Sequence, residues 1–223
     1  VRPDAAARRA ADNDGVDSAA NSVNVTINPT LVLPFTDDFN DGNANGWVTV
    51  DDGIENASNW NVPTTFYTQT VATNNFGKDV DETYRRGTYA YYADSVNLTD
   101  YRFSVDVTAR AASADDVGVM FRYVDDDNYY RVAMNSESGS SRLESKVGGT
   151  FITLARDFRG YMPGEVTQNI VVEVEGPLIQ VFVNGNPAFA ATASDHLSGG
   201  IGLYNRDGVR YDNVSVTTNG TGP

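Results

Sequence analysis

Phe35-Thr-Asp-Asp-Phe-Asn-Asp-Gly42, closely followed by Gly46-Trp47, stands at one end of a long stretch of this chain. At the other end stand Gly199-Gly-Ile-Gly-Leu-Tyr-Asn205 and Val209-Arg-Tyr-Asp-Asn-Val-Ser-Val216. Between them the sequence is almost entirely short segments of alternating character. Acidic residues at both ends of an all-β stretch imply that the first and last strands meet and share a cation.

The alternation is explicit. Tyr101-Arg-Phe-Ser-Val-Asp-Val-Thr108 places Phe103, Val105 and Val107 on one face. The same period recurs in Val117–Tyr123, Tyr129–Met134, Asn169–Glu175 and Leu178–Val183. Asp125-Asp-Asp-Asn128 and Val147-Gly-Gly-Thr150 read as turns, and Asn184-Gly185 suits a type I′ hairpin. Many short, evenly spaced strands and no helical period define an all-β sandwich or barrel.

Composition limits the function. The chain has 223 residues, enough for one large core. Its net charge is −14, which excludes nucleic acid and anionic membrane surfaces as partners. Nearly all the acid is aspartate, 23 Asp against 7 Glu, a residue suited to turns and to calcium. There is no cysteine, so no disulfide. No apolar run is long enough to insert in a membrane. The chain starts at Val1 and is expected to be a piece of something longer.

Three segments follow from this reading. Residues 1–33 form an N-terminal extension, 34–217 the main domain and 218–223 a linker. In the extension, Asp12-Asn-Asp-Gly15 has the look of a calcium loop but lacks the distal Glu. Alternatively, Ala11–Val16 with Ser22–Asn28 is the closing hairpin of a preceding immunoglobulin-like repeat. In that case the segment from Asn21 to Leu33 is an extended strand in need of a partner, open to self-association.

Taken together, Asp37–Gly42 with Trp47, Gly118–Tyr123, Asp127–Arg131, Gly199–Tyr204 and Tyr211–Val214 resemble the concanavalin A-like, laminin-G-like jelly-roll superfamily. The resemblance is to modules appended to secreted bacterial polysaccharide-degrading enzymes and surface proteins. It implies a two-sheet antiparallel jelly-roll sandwich with a concave and a convex face, a structural calcium, and glycan binding on the concave side. The family's calcium ligands match Asp38 and Asp212, with Asp41 as a nearby addition. An extracellular or cell-surface location follows from the same resemblance.

Sugars stack on aromatic rings and hydrogen-bond planar polar groups. Trp60, Tyr67, Tyr204 and Asn205 are the candidates, the first two in a loop-like stretch. If Phe121 and Val132 point inward, Arg122 and Arg131 point outward. There they either pair with acids on a solvent face or hold an acidic polysaccharide. Catalysis has little support. His196 is the sole histidine, and no pair of carboxyls can be placed across a cleft. The motifs of jelly-roll glucanases and alginate lyases are missing, which leaves a Tyr/Arg-based lyase open. The leading expectation is a non-catalytic carbohydrate-binding module of a secreted multimodular protein. A structural or adhesive subunit assembling by strand addition is the alternative, and a polysaccharide lyase or hydrolase the third.

Overall fold

A computed structural model describes residues 31–52, 57–71, 86–110, 115–136, 138–158 and 165–219. These build two antiparallel sheets. Strands β1 (Phe35–Asp37), β3 (Trp60–Asn61), β4 (Tyr67–Gln69), β6 (Tyr101–Ala109), β11 (Thr167–Glu175), β12 (Leu178–Val183), β13 (Asn186–Thr192) and β15 (Val209–Thr218) form an eight-stranded sheet. Its order is β13-β12-β11-β6-β15-β4-β3, with β1 also paired to β15. The seven-stranded sheet holds β2 (Trp47–Asp52), β5 (Gly87–Tyr92), β7 (Val117–Asp125), β8 (Asn128–Asn135), β9 (Ser140–Val147), β10 (Thr150–Asp157) and β14 (Gly200–Asn205). Its order is β10-β9-β8-β7-β14-β5-β2. Among the described residues the one helical element is a 3-10 turn at Ala93–Ser95. The expected all-β, two-sheet jelly-roll sandwich is what the chain adopts.

The first and last strands do meet. Phe35 pairs with Val216, Thr36 with Ser215 and Asp37 with Val214. Alternation sets the core as expected: Phe103, Val105 and Val107 of β6 and Ile170, Val172 and Val174 of β11 all point between the sheets. Opposite them lie Val119, Phe121, Val132, Leu143, Ile201 and Leu203. The three turns also form. Asn184 and Gly185 both have positive φ, 51° and 74°, as a type I′ hairpin requires.

Polar groups tie one sheet to the other through the core. Tyr211 on β15 donates its hydroxyl to the Tyr204 carbonyl at 2.6 Å, with the Gly118 carbonyl at 3.2 Å. Tyr101 on β6 accepts the Arg122 backbone N–H at 2.9 Å. Trp47 Nε1 donates to Asp37 Oδ2, and Trp60 Nε1 to Thr88 Oγ1, each at 2.8 Å. Each of these groups would otherwise be stranded between two apolar layers.

Two expectations need correction. Thr218 belongs to β15, paired with Tyr101, and is not part of a linker. Trp60 and Tyr67 lie on short strands, not in a loop. At the N-terminal side, Leu31 donates its N–H to the Asp94 carbonyl at 2.8 Å, and Leu31 and Leu33 pack against the core. The rest of the proposed extended strand, together with the immunoglobulin-like tail and the Asp12–Gly15 loop, lies outside the described residues.

Candidate functional site

The two sheets differ on their outer faces. β6 and β15 alternate between buried and more exposed positions, as a solvated face requires. β7, β8 and β9 are buried on both sides for most of their length. Yet the outward residues of β8 and β9 are not all apolar: Tyr129, Arg131 and Ala133 lie on one, and Arg142, Glu144 and Lys146 on the other.

Those charges form a relay of alternating sign. Asp116 Oδ2 accepts from Arg142 at 2.5 Å, and Arg142 Nε donates to Glu144 Oε1 at 3.0 Å. Glu144 Oε2 in turn accepts from Arg131 Nε and Nη2, at 3.1 and 2.6 Å. All four side chains are 1–3% exposed. Arg131 also lies between two rings, 4.2 Å from the centroids of both Phe151 and Tyr204. Burial alone would favour discharging it, but Tyr204, Glu144 and the other groups around it outweigh that and raise its pKa. The Tyr204 hydroxyl is buried with no hydrogen-bond partner among the described residues, and its pKa is raised, first by burial.

Curvature explains how an outer face becomes buried. β9 and β2 are five strand steps apart, about 24 Å on a flat sheet. Even so, Lys146 Nζ on β9 lies 3.2 Å from Asp52 Oδ2 on β2. The sheet must therefore curl until its two wings approach, which makes this face strongly concave. The β7–β8 turn contributes as well: Asp126 Oδ1 accepts from Tyr89 and Tyr123 hydroxyls at 2.7 and 2.5 Å, and its carbonyl accepts from Lys146 at 2.6 Å. Tyr123 stacks on half-buried Tyr91, ring centroids 4.6 Å apart, beside Val48, which is 39% exposed. Tyr91 and Val48 are the accessible members of this patch.

The six residues expected to bind sugar are not one site. Arg131 and Tyr204 come together on the curved face, but fully covered. Arg122 does not point outward. A β-bulge between Phe121 and Asp125 and a φ of 47° turn it out of the alternation. Its guanidinium is buried at one end of the sandwich and donates to the carbonyls of His196, Thr99 and Gly176. Asn205 faces the interior, where its Oδ1 accepts from Gln69 at 3.1 Å. Trp60 packs on Tyr67 and Tyr211 as part of the core. His196 hydrogen-bonds the Lys146 carbonyl through Nε2 at 2.8 Å.

Arg142, Glu144, Lys146, Tyr91, Tyr123 and Asp126 were missed as a group. A signal existed: Arg142, Glu144 and Lys146 occupy every second position of one strand, a charged face opposite Leu143.

The acidic residues expected to hold calcium are arranged differently from one another. Asp212 lies near Asp106 and Asp38, and its pKa is raised by burial and by both of those carboxylates, against the lowering effect of the Asn213 N–H. Asp38 is held below the usual carboxylate range by the side chain and backbone N–H of Asn40. Asp41 turns both oxygens onto Asn43. Among the described residues no three His, Cys, Asp or Glu side chains converge as a metal cage.

With this geometry in place, the relationships are clear. The model of the 3-keto-alpha-glucoside-1,2-lyase-like domain family matches residues 34–217, and the chain belongs to that family. No curated protein matches it. Among solved structures, it is similar to the carbohydrate-binding module CBM66 of Bacillus subtilis, with a TM-score of 0.61 at 16% identity, covering 78% of this chain and 96% of that one. It is also similar to the Bacillus licheniformis beta-glucanase, with a TM-score of 0.59 at 10% identity over 83% and 98% of the two chains. A Bacillus subtilis protein of unknown function with a galectin-like fold gives 0.61 at 9% identity, over 82% and 94%. At these identities the likeness is one of fold.

Replacing Glu144 with Gln should leave Arg131 and Arg142 buried beside a neutral group. The expected loss is about 3–5 kcal/mol of unfolding free energy, read from urea denaturation. A loss comparable to that of an exposed carboxylate would mean the relay is not structural.

Proposed function

We propose that the concave face of the seven-stranded sheet binds a saccharide, and that the chain is a non-catalytic carbohydrate-binding module of a secreted multimodular protein acting outside the cell. The observation that carries this reading is the Tyr91–Tyr123 stack on a curled sheet, with Asp126 and Lys146 at its rim. A sugar ring lays its C–H face on the Tyr91 ring, and its hydroxyls reach the exposed Asp126 carboxylate, which buried Lys146 helps to fix through the Asp126 carbonyl. The family match and the likeness to a carbohydrate-binding module support the substrate class. The case for an acidic glycan rested on outward Arg122 and Arg131; both are buried and engaged, so we read the glycan as neutral. Replacing Tyr91 with Ala should weaken binding to a neutral polysaccharide about tenfold or more in affinity electrophoresis, with little change in melting temperature. Unchanged retention, or no retention of the unmodified protein on any glycan of a broad panel, would overturn the reading.

The family description favours a second reading, elimination on a 3-keto-α-glucoside. The C3 ketone acidifies the C2 proton; a base removes it, the C1–O bond breaks, and the products are a C1=C2 enone and a free alcohol. Incubation with a 3-keto-α-glucoside should then release alcohol and raise enone absorbance together. Neither signal appearing with a protein that still binds glycan would leave only the binding module.

A structural calcium between Asp38 and Asp212 is the third element of the proposal. What supports it is the proximity of the Asp38, Asp106 and Asp212 carboxylates. A raised carboxylate pKa means that Asp212 favours folding when protonated, at low pH, and opposes it as pH rises through its folded value. Calcium at a hundredfold excess over its dissociation constant should add about 2.7 kcal/mol, roughly 5–10 °C for a domain of this size. Asp212→Asn should raise the melting temperature in EDTA and remove the calcium response. An identical calcium shift in that variant would rule out this site.

A further inference from the structure

A second cleft lies away from the concave face, where the edges of the two sheets approach at β10 and β13. Its volume is about 220 Å³, the share of roughly seven waters. Register explains its walls. Met134 pairs with Ser141, and Ser141 with Asp157, so these three form one row on the inner face of the seven-stranded sheet. Across from them stands Gln168. On β11, Gln168, Ile170, Val172 and Val174 share the inward side, so the alternation delivers an amide to a core-facing position. Gln168 is only 9% exposed, and its side chain makes no hydrogen bond within the described protein. The amide opens into the cleft, so whatever fills the cleft is what hydrogen-bonds it.

The third wall is the β12–β13 hairpin, and it is fixed. Asn184 exchanges two hydrogen bonds with Asn169, N–H to carbonyl at 2.8 Å and Oδ1 from N–H at 2.9 Å. Asn186 Nδ2 donates to the Asn184 carbonyl at 3.1 Å. The buried rings and chains of Phe189 and Met134 supply an apolar floor, 8% and 3% exposed. The described lining includes a carboxylate, Asp157, and no cation.

We propose that this cleft is a second saccharide site, taking one neutral sugar ring between the Gln168 amide and the Phe189–Met134 floor. The chemistry fits a compact ligand with one apolar face and hydroxyls around its edge. The volume excludes an oligosaccharide, and the described lining offers no cation to hold an anion. The ligand class shares the carbohydrate reading of the concave face, whereas the site itself stands on Gln168 and the cleft.

The test is an amide NMR titration of the full chain with glucose, galactose, fructose and xylose in turn. One of these should shift, saturably, the Gln168 side-chain amide and the Asn184 and Gly185 backbone amides. Gln168→Leu keeps the shape and removes the hydrogen bonds; Ala188→Phe fills the cleft by volume. Each should weaken that response about tenfold or more, while Tyr91→Ala leaves it unchanged. Shifts confined to the concave face would overturn this site and leave the first reading standing. Shifts at the cleft alone would support it and count against the first. No saturable shift anywhere would overturn the cleft site for all four sugars.

Discussion

The position of β15 is the constraint on which the rest of the structure depends. The last strand is not an edge. It lies between β6 and β4, and β1 pairs beside it, so the eight-stranded sheet has no continuous middle until the end of the domain is in place. From that strand Tyr211 crosses the core and holds the carbonyls of Tyr204 and Gly118 in the opposite sheet. Those two residues pair with each other across β14 and β7. Gly118 is glycine for a steric reason: a Cβ there would lie 1.8 Å from the Val132 carbonyl oxygen. One buried hydroxyl thereby positions the strand pair that carries the Tyr204 ring over Arg131.

The concave face is consequently a property of both sheets. Its curl brings Lys146 to Asp52 across five strand steps, and the same curl buries a four-charge relay that would be a solvated stripe on a flat sheet. Opposite charges in strict alternation let that burial occur with no uncompensated ion. Such a platform is rigid, since each guanidinium is fixed by a carboxylate, a ring or both. The aromatic patch around Tyr91 rests on it, which suits a surface that recognises a ligand by shape. The cleft at the other edge has a different origin. There the two inner faces fail to close, and a polar residue stands where the strand period calls for an apolar one.

Much of the architecture was legible in the residues. Phe103-X-Val105-X-Val107, the Asn184-Gly185 turn and the two terminal motifs led to the sandwich, the hairpin and the meeting of β1 with β15. The site was far less legible. Arg122 occupies an outward position in the alternation, but a bulge and a left-handed backbone turn it into the end of the sandwich. Trp60 and Tyr67 have the look of a sugar-binding loop, yet their rings complete the core against Tyr211. Asn205 follows Tyr204 by one residue and so faces the opposite way. Glu144 and Arg142 were readable as one face of a strand, but nothing local shows that their partners are Asp116 and Arg131.

By itself, then, the sequence determined the secondary structure, the inward face of most strands and the class of fold, because side-chain alternation and turn chemistry act over a few residues. Tertiary structure alone decided which outward residues are buried, which charges pair, and where a ligand could reach. Those outcomes depend on sheet curvature, on a bulge and on contacts between strands far apart in the chain, and no short-range pattern encodes them.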